Sequence, residues 1–266
     1  MIKKLLVLTA LIIWTTSGAA HAEQEVKSVK DIDSLIKRLE ESGALNRAIE
    51  RYFTRQQEQE RKHQQDELAK QSAMAKNARS PDPGRDHLLG TNAADVTIIE
   101  YIDFECPYCK AFHGTPQEVV KRLSGKVNMV WRHFPLDFHN PAALNAAEAS
   151  VCAAKVGGNK AFWKYADAVI MRTEGNGKGM PATNGNPLSA LAKELNIDPV
   201  SFQKCLDTGV GKQKVAEDEQ DGKNSGINGT PGVIVRNNKT GKSVLMTGAV
   251  PLDKLENQVR ELLRMQ

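Results

Sequence analysis

The 266-residue chain reads as an α/β fold with a helical insertion, preceded by an N-terminal helical extension, and three features point there. VTIIEYIDF from Val96 and KVNMVWRHF at residues 126–134 are rich in β-branched and aromatic residues, which marks buried strands. Residues 141–221 are alanine-rich and apolar at helical spacing. Two further short strands, GTPGVIVRN and KSVLMTG, are joined by the turn NKTG and followed by a helix from Pro251. Pro107 suits the first turn of a helix running to about Leu123, because proline lacks an N–H that the first turn leaves unpaired anyway. The expected order is therefore strand, helix, strand, helical block, two strands, helix.

The start of the chain differs. MIKKLLVLTALIIWTTSGAAHA carries two lysines, an apolar run from Leu5 to Trp14, and small residues ending at Ala22. That pattern reads as a signal peptide at residues 1–22, since the run falls short of the roughly 20 residues a membrane span needs. Its removal takes Lys3 and Lys4, lowering the formal charge of +4 by two. A nearly neutral chain with 5% aromatics gives no support to a nucleic-acid partner. The expected location is the periplasm.

Residues 23–77 hold no cysteine or proline, and Val26, Val29, Ile32, Leu35, Ile36 and Leu39 recur at helical spacing. After Gly43, Leu45, Ile49, Tyr52 and Phe53 mark one face of a second helix. Helices this polar cannot bury their stripes alone, and another copy of the chain, as dimer or trimer, is the economical partner. ARSPDPGRD follows, and residues 78–87 read as a linker before a domain over 88–266.

All four cysteines, Cys106, Cys109, Cys152 and Cys205, lie in the exported part, where disulfides are the default and three pairings exist. The motif ECPYCKAFH holds a C-x-x-C. A zinc site calls for a second ligand cluster, and none is evident; His113, His133 and His139 are isolated. A staple across three residues removes little chain entropy, so the pair makes sense as reactive chemistry. At a helix start, unpaired backbone N–H groups and the helix dipole favour a charged sulfur, making Cys106 the nucleophile and Cys109 the resolving thiol. No cofactor is called for, because the sulfurs carry the electrons.

TIIEYIDFECPYCKAFH resembles the active-site strand and helix of the DsbA-like thiol:disulfide oxidoreductases. GTPG at residues 229–232 resembles that family's second active-site loop, and NMVWRHFPLDFHNPAALNAAEASVCAAK its approach to the helical insertion. The resemblance covers residues 88–266 and implies a thioredoxin-like fold. It implies a cis Pro231 facing the disulfide, with Thr230 offering backbone groups to an extended substrate strand. It implies a buried acid at Glu100 that shuttles a proton to or from Cys109. Pro107 and Tyr108 are expected to touch substrate. Glu105 and Lys110 flank the cysteines with opposite charges, and His113 is expected to pack or face solvent. With Cys106 and Cys109 assigned to each other, Cys152 and Cys205 remain and are expected to form a structural disulfide.

Three functions follow. Threonine before Pro231 resembles the isomerase-type members more than the dedicated oxidase, and with the helical extension this favours disulfide isomerisation or reduction over net oxidation of the DsbA type; a copper-binding or holdase module stands third. The expected partners are exported cysteine-containing proteins, a membrane redox partner and further copies of the chain.

Overall fold

The computed structural model describes residues 29–182 and 185–265, so the segment read as a signal peptide lies outside the described residues. The chain divides into two compact units, up to His63 and from Gln64 onward. The described part of the first unit holds helix α1 (Val29–Glu41) and the greater part of α2 (Ala44–Met74), separated at Gly43, whose φ of +65° suits a residue without Cβ. Leu35, Leu45, Ile49, Tyr52 and Phe53 are exposed.

The second unit is built on a five-stranded sheet. Its elements are β1 (His87–Leu89), β2 (Val96–Ile102), α3 (Pro107–Phe112), α4 (Gly114–Arg122) and β3 (Val127–His133). The insertion follows as α5 (Ala142–Arg172), α6 (Pro187–Glu194), α7 (Pro199–Asp207) and α8 (Val210–Asn224). The chain then closes through β4 (Gly232–Asn237), β5 (Ser243–Thr247) and α9 (Leu252–Leu263). The strand order is β1-β3-β2-β4-β5, with β2 and β3 parallel and the other pairs antiparallel. The one parallel pair needs a crossover, which α3 and α4 supply. This is a thioredoxin-like α/β fold with a helical insertion between β3 and β4.

Period-two alternation gives the central strands two buried faces. Val96, Ile98 and Ile102 join Met129, Trp131, Val233 and Val235 in a front core with Cys106, Cys109, Phe112 and residues of α5 and α9. Ile99 and Tyr101 join Val130, Phe134, Ile227 and Ile234 in a back core. Gly222 of α8 belongs at the back, where a Cβ would lie 2.8 Å from the Phe134 ring and 3.0 Å from Tyr101. That close approach brings Asp221 to the Tyr101 hydroxyl, which donates to its Oδ2 at 2.5 Å.

The segment read as a linker is bound to this back face. Ala75 and Ala78 are buried in the back core. Arg132 of β3, fully buried, donates from Nη2 to Asp86 Oδ2 at 2.9 Å and from Nη1 to Asp221 Oδ2 at 2.6 Å. Arg79 donates to Asp218 Oδ1 at 2.9 Å. Two prolines and a glycine make residues 78–87 read as a connector, whereas Asp86 is a partner of the buried Arg132, and Arg79 and Arg85 pair with Asp218 and Asp86. The helix expected to run to about Leu123 is interrupted at His113, which ends α3 and opens α4.

Cys152 of α5 and Cys205 of α7 are joined by a disulfide spanning 53 residues within the insertion. A loop of that size removes about 4 kcal/mol of unfolded-state entropy in the chain-entropy model.

Candidate active site

β2 ends at Ile102, and the next residues build the turn that carries the cysteines. Asp103 organises it: its carboxylate accepts from the Glu105 N–H at 2.7 Å and the Leu136 N–H at 2.9 Å, and pairs with His139 Nδ1 at 2.7 Å. Its carbonyl accepts from the Cys106 N–H at 3.2 Å. Cys106 is then the N-cap of α3, in extended conformation, with Pro107 in the first turn.

Both cysteines are free thiols. Cys106 is 4% exposed and Cys109 is fully buried. Cys106 Sγ lies 3.4 Å from the carbonyl oxygen of Thr230, and the Thr230–Pro231 bond is cis. The loop before β4 therefore touches the outer sulfur.

The two thiols are pushed apart. A hydrogen bond from the Cys109 thiol, working against burial and helped by Thr230 and the backbone N–H groups of Cys109 and Tyr108, holds Cys106 down to about 5. Burial, reinforced by the hydrogen bond and charge of Cys106, raises Cys109 well above its ordinary value. The peptide groups at the helix start thus contribute, but the neighbouring thiol contributes more. Cys106 is suited to attack and to leave, while Cys109 carries the proton.

Glu100 sits on β2 opposite Trp131 and Val233, at a front-face position between Ile98 and Ile102. It is fully buried, and neither carboxyl oxygen has a hydrogen-bond partner. Burial raises its pKa to about 8. A neutral acid thus shares the apolar face that packs against Cys109.

Tyr108, beside the cysteines, is 69% exposed, and Phe138 is 76% exposed on the turn that Asp103 holds. Pro107 is exposed and Pro231 is buried. His113 is buried, packs edge-on against Trp131 and pairs with Asp167 at 2.8 Å. Glu105 is buried rather than facing the sulfur's solvent side: its carboxylate accepts from the Thr173 hydroxyl and from the Gly179 N–H at 2.9 Å. Lys110 Nζ donates to the Thr173 carbonyl at 3.0 Å. Asp103 and the Glu105 contacts to the insertion escaped the sequence reading. A carboxylate on each side of a buried Phe104, at a strand end, was the available signal, since acids there need donors from elsewhere in the fold.

Among the described residues no cluster of three or more His, Cys, Asp or Glu side chains is placed to hold a metal ion, and no helix is long and apolar enough to cross a membrane.

A thioredoxin family model matches residues 82–249. The crystal structure of Pseudomonas aeruginosa DsbA2 is similar at 33% identity and a TM-score of 0.59, over 69% of this chain and 96% of that one. The chain belongs to the DsbA-like thioredoxin family. Another DsbA-type structure, alpha-DsbA1 of Wolbachia pipientis, is 25% identical over 72% of this chain and 96% of that one, with a TM-score of 0.58. Among sequence relatives, the Na(+)/H(+) antiporter NhaA 3 of Salinispora tropica is 36% identical over 154 residues, which are 58% of this chain and 22% of the antiporter. The chain thus spans less than a quarter of that relative's length. The 82–249 span of the family model takes in the cysteine turn, the insertion between β3 and β4 and the Thr230–Pro231 loop.

Proposed function

We propose that the protein is a thiol:disulfide oxidoreductase that exchanges its Cys106–Cys109 pair with cysteine-bearing proteins in the periplasm. The observation that carries this reading is the asymmetry of the two sulfurs: Cys106, beside the Thr230 carbonyl, is held down to about 5 chiefly by the Cys109 thiol, while Cys109 is buried and raised. A client thiolate attacks Cys106 Sγ of the disulfide, forming a mixed disulfide and releasing Cys109 as a thiolate. Glu100, neutral below about 8, supplies the proton that Cys109 takes up. A second client thiolate then attacks the client sulfur, Cys106 leaves as a thiolate, and the client has lost two electrons to the pair. The Thr230–Pro231 loop, beside Cys106, suits an extended client segment bound through backbone groups. The exported location is supported by the Cys152–Cys205 disulfide, a bond that persists in oxidising compartments.

Isomerisation is the direction supported by the first unit. Leu35, Leu45, Ile49, Tyr52 and Phe53 leave an apolar stripe exposed on α1 and α2, and the same stripe of a second copy would cover it. Two or more catalytic domains joined this way would reshuffle disulfides with Cys106 reduced. Net donation is a second reading, favoured by the low Cys106 value, which stabilises the reduced form and makes the disulfide oxidising. A membrane redox partner would then restore the disulfide.

Cys109→Ala tests the exchange itself: it should accumulate mixed disulfides on Cys106, seen as gel bands that a reductant removes. Cys106→Ala should accumulate none; bands that persist in it, or are absent from Cys109→Ala, refute the exchange. Client or copper binding that survives Cys106→Ala without exchange would favour the holdase or metal-binding role. Alkylation of Cys106 in freshly broken cells separates the directions, a modified thiol supporting isomerisation and a protected one donation. Light scattering on a chain starting at Gln64 tests self-association, and that boundary keeps Arg79 with Asp218 and Asp86 with Arg132.

A further inference from the structure

Glu105 stands directly before the nucleophilic cysteine, yet every hydrogen bond its carboxylate makes reaches into the helical insertion. The side chain is 1% exposed and accepts from the Thr173 hydroxyl and, at 2.9 Å, from the Gly179 N–H. Its carbonyl accepts from the Asn176 N–H at 2.7 Å. From the other side of Cys106, Lys110 reaches the Thr173 carbonyl at 3.0 Å. A buried carboxylate is costly unless donors fill its lone pairs, and here neutral donors of residues 173–179 do so. The loop also lies close against the cysteine turn. A Cβ on Gly175 would be 3.3 Å from the Glu105 carbonyl and 3.9 Å from Pro107, and one on Gly177 would be 3.3 Å from the Cα of His139. The glycine-rich loop therefore runs between Pro107 and the turn that carries the exposed Phe138.

We infer that Glu105 is a positioning residue that clamps the loop at residues 173–179 beside Cys106, fixing one wall of the surface on which polypeptide clients lie. This rests on the oxidoreductase reading. The clamp acts on clients large enough to touch the loop, whereas a small dithiol meets only the sulfur. Loss of the clamp therefore shifts the balance between the two kinds of substrate.

The test compares, in the full chain, the rate constant for reduction of the oxidised pair by a cysteine-bearing decapeptide with that by dithiothreitol. Glu105→Ala should lower the peptide-to-dithiothreitol ratio about tenfold, the worth of a charge-assisted hydrogen bond, mainly through KM. Glu105→Gln keeps an acceptor for the Thr173 hydroxyl and should recover part of that loss. Thr173→Val cuts the same contact from the loop side without altering charge next to Cys106. It should lower the ratio too, with the Cys106 titration unmoved, and it decides the matter should Glu105→Ala fail to fold. A normal ratio in Thr173→Val, whatever Glu105→Ala does, overturns the clamp and leaves the oxidoreductase reading intact. A wild-type protein that reacts with neither reductant ends both.

Discussion

On the front of the sheet Glu100 is buried with neither oxygen bonded, while one residue along the same strand Tyr101 enters a back-face network in which Arg132, Asp86 and Asp221 all bond one another or a neighbour. Burial acts to raise both the Glu100 and the Asp86 carboxyl, but the outcome differs. At the back, burial acts to raise Asp86, yet hydrogen bonds and charge from Arg132 outweigh it and hold its carboxyl below the usual range. At the front nothing opposes burial, and Glu100 rises to about 8. Paired charges lock structure, and an unpaired acid keeps a proton available near neutral pH. The back network holds the segment around residues 79–86 in place, and the front acid is the one the proposed exchange draws on.

Removing the arginine should break the comparison hardest. Arg132→Ala takes the fully buried cation from Asp86 and Asp221 and leaves them only the part-exposed Arg85 and Arg79, which should cost about 3 kcal/mol of stability by denaturant unfolding. The Cys106 thiolate absorbance should still titrate near 5, because the back network does not touch the sulfur. A titration that moves with it would couple the two faces.

Glu100→Gln comes next, and its effect lies in the pH dependence. Glu100 goes from 4.5 to about 8 on folding, so the folded protein keeps a proton the unfolded chain releases. Stability from this group is full below 4.5, falls as pH rises, and levels off above about 8. Between pH 5 and 7 the loss should be about 2–3 kcal/mol, and the glutamine should abolish it. Cys106 has the opposite sign: its value falls from 9.0 to about 5, so its contribution is full above 9.0 and is lost as pH falls through about 5. The two slopes oppose each other in the dithiol protein. In the disulfide form the Cys106 slope is gone, while His87 and His133, lowered by burial, still add slopes opposite in sign to that of Glu100, so the Glu100 slope is the difference between wild type and Glu100→Gln in unfolding curves at several pH values. Equal slopes for Glu100→Gln and wild type in that form would remove the acid from the account.

Tyr101→Phe should have the smallest effect, about 1 kcal/mol in the melting curve, because Arg132 and Asp221 still bond directly once the hydroxyl is gone.

The order of strands and helices was legible because β-branched runs, alanine-rich periodicity and Pro107 are local signals. The strand β1 was not, since His87–Leu89 is too short for any period to show and is defined by pairing with β3. The binding of residues 78–87 escaped for a related reason: Arg79 and Asp86 meet partners 139 and 46 residues away. The arginine inside VNMVWRH, on a strand read as buried, went unremarked, and nothing local names the acids it pairs with. At the site, the cysteine spacing stood out alone, while Glu100, Thr230 and Pro231 were reached through family resemblance. The Glu105 contacts were invisible because their partners are a hydroxyl and a glycine N–H from a distant loop, groups without any sequence signature.

An exchanger of sulfur bonds lives beside cysteines of its own. Cys152 is fully buried and Cys205 nearly so, packed among the helices of the insertion. Attack on a disulfide needs a straight approach to one sulfur, and depth denies it. The catalyst can thus cycle without unpicking its own frame, and mild reductant should empty the working pair while the inner bond endures.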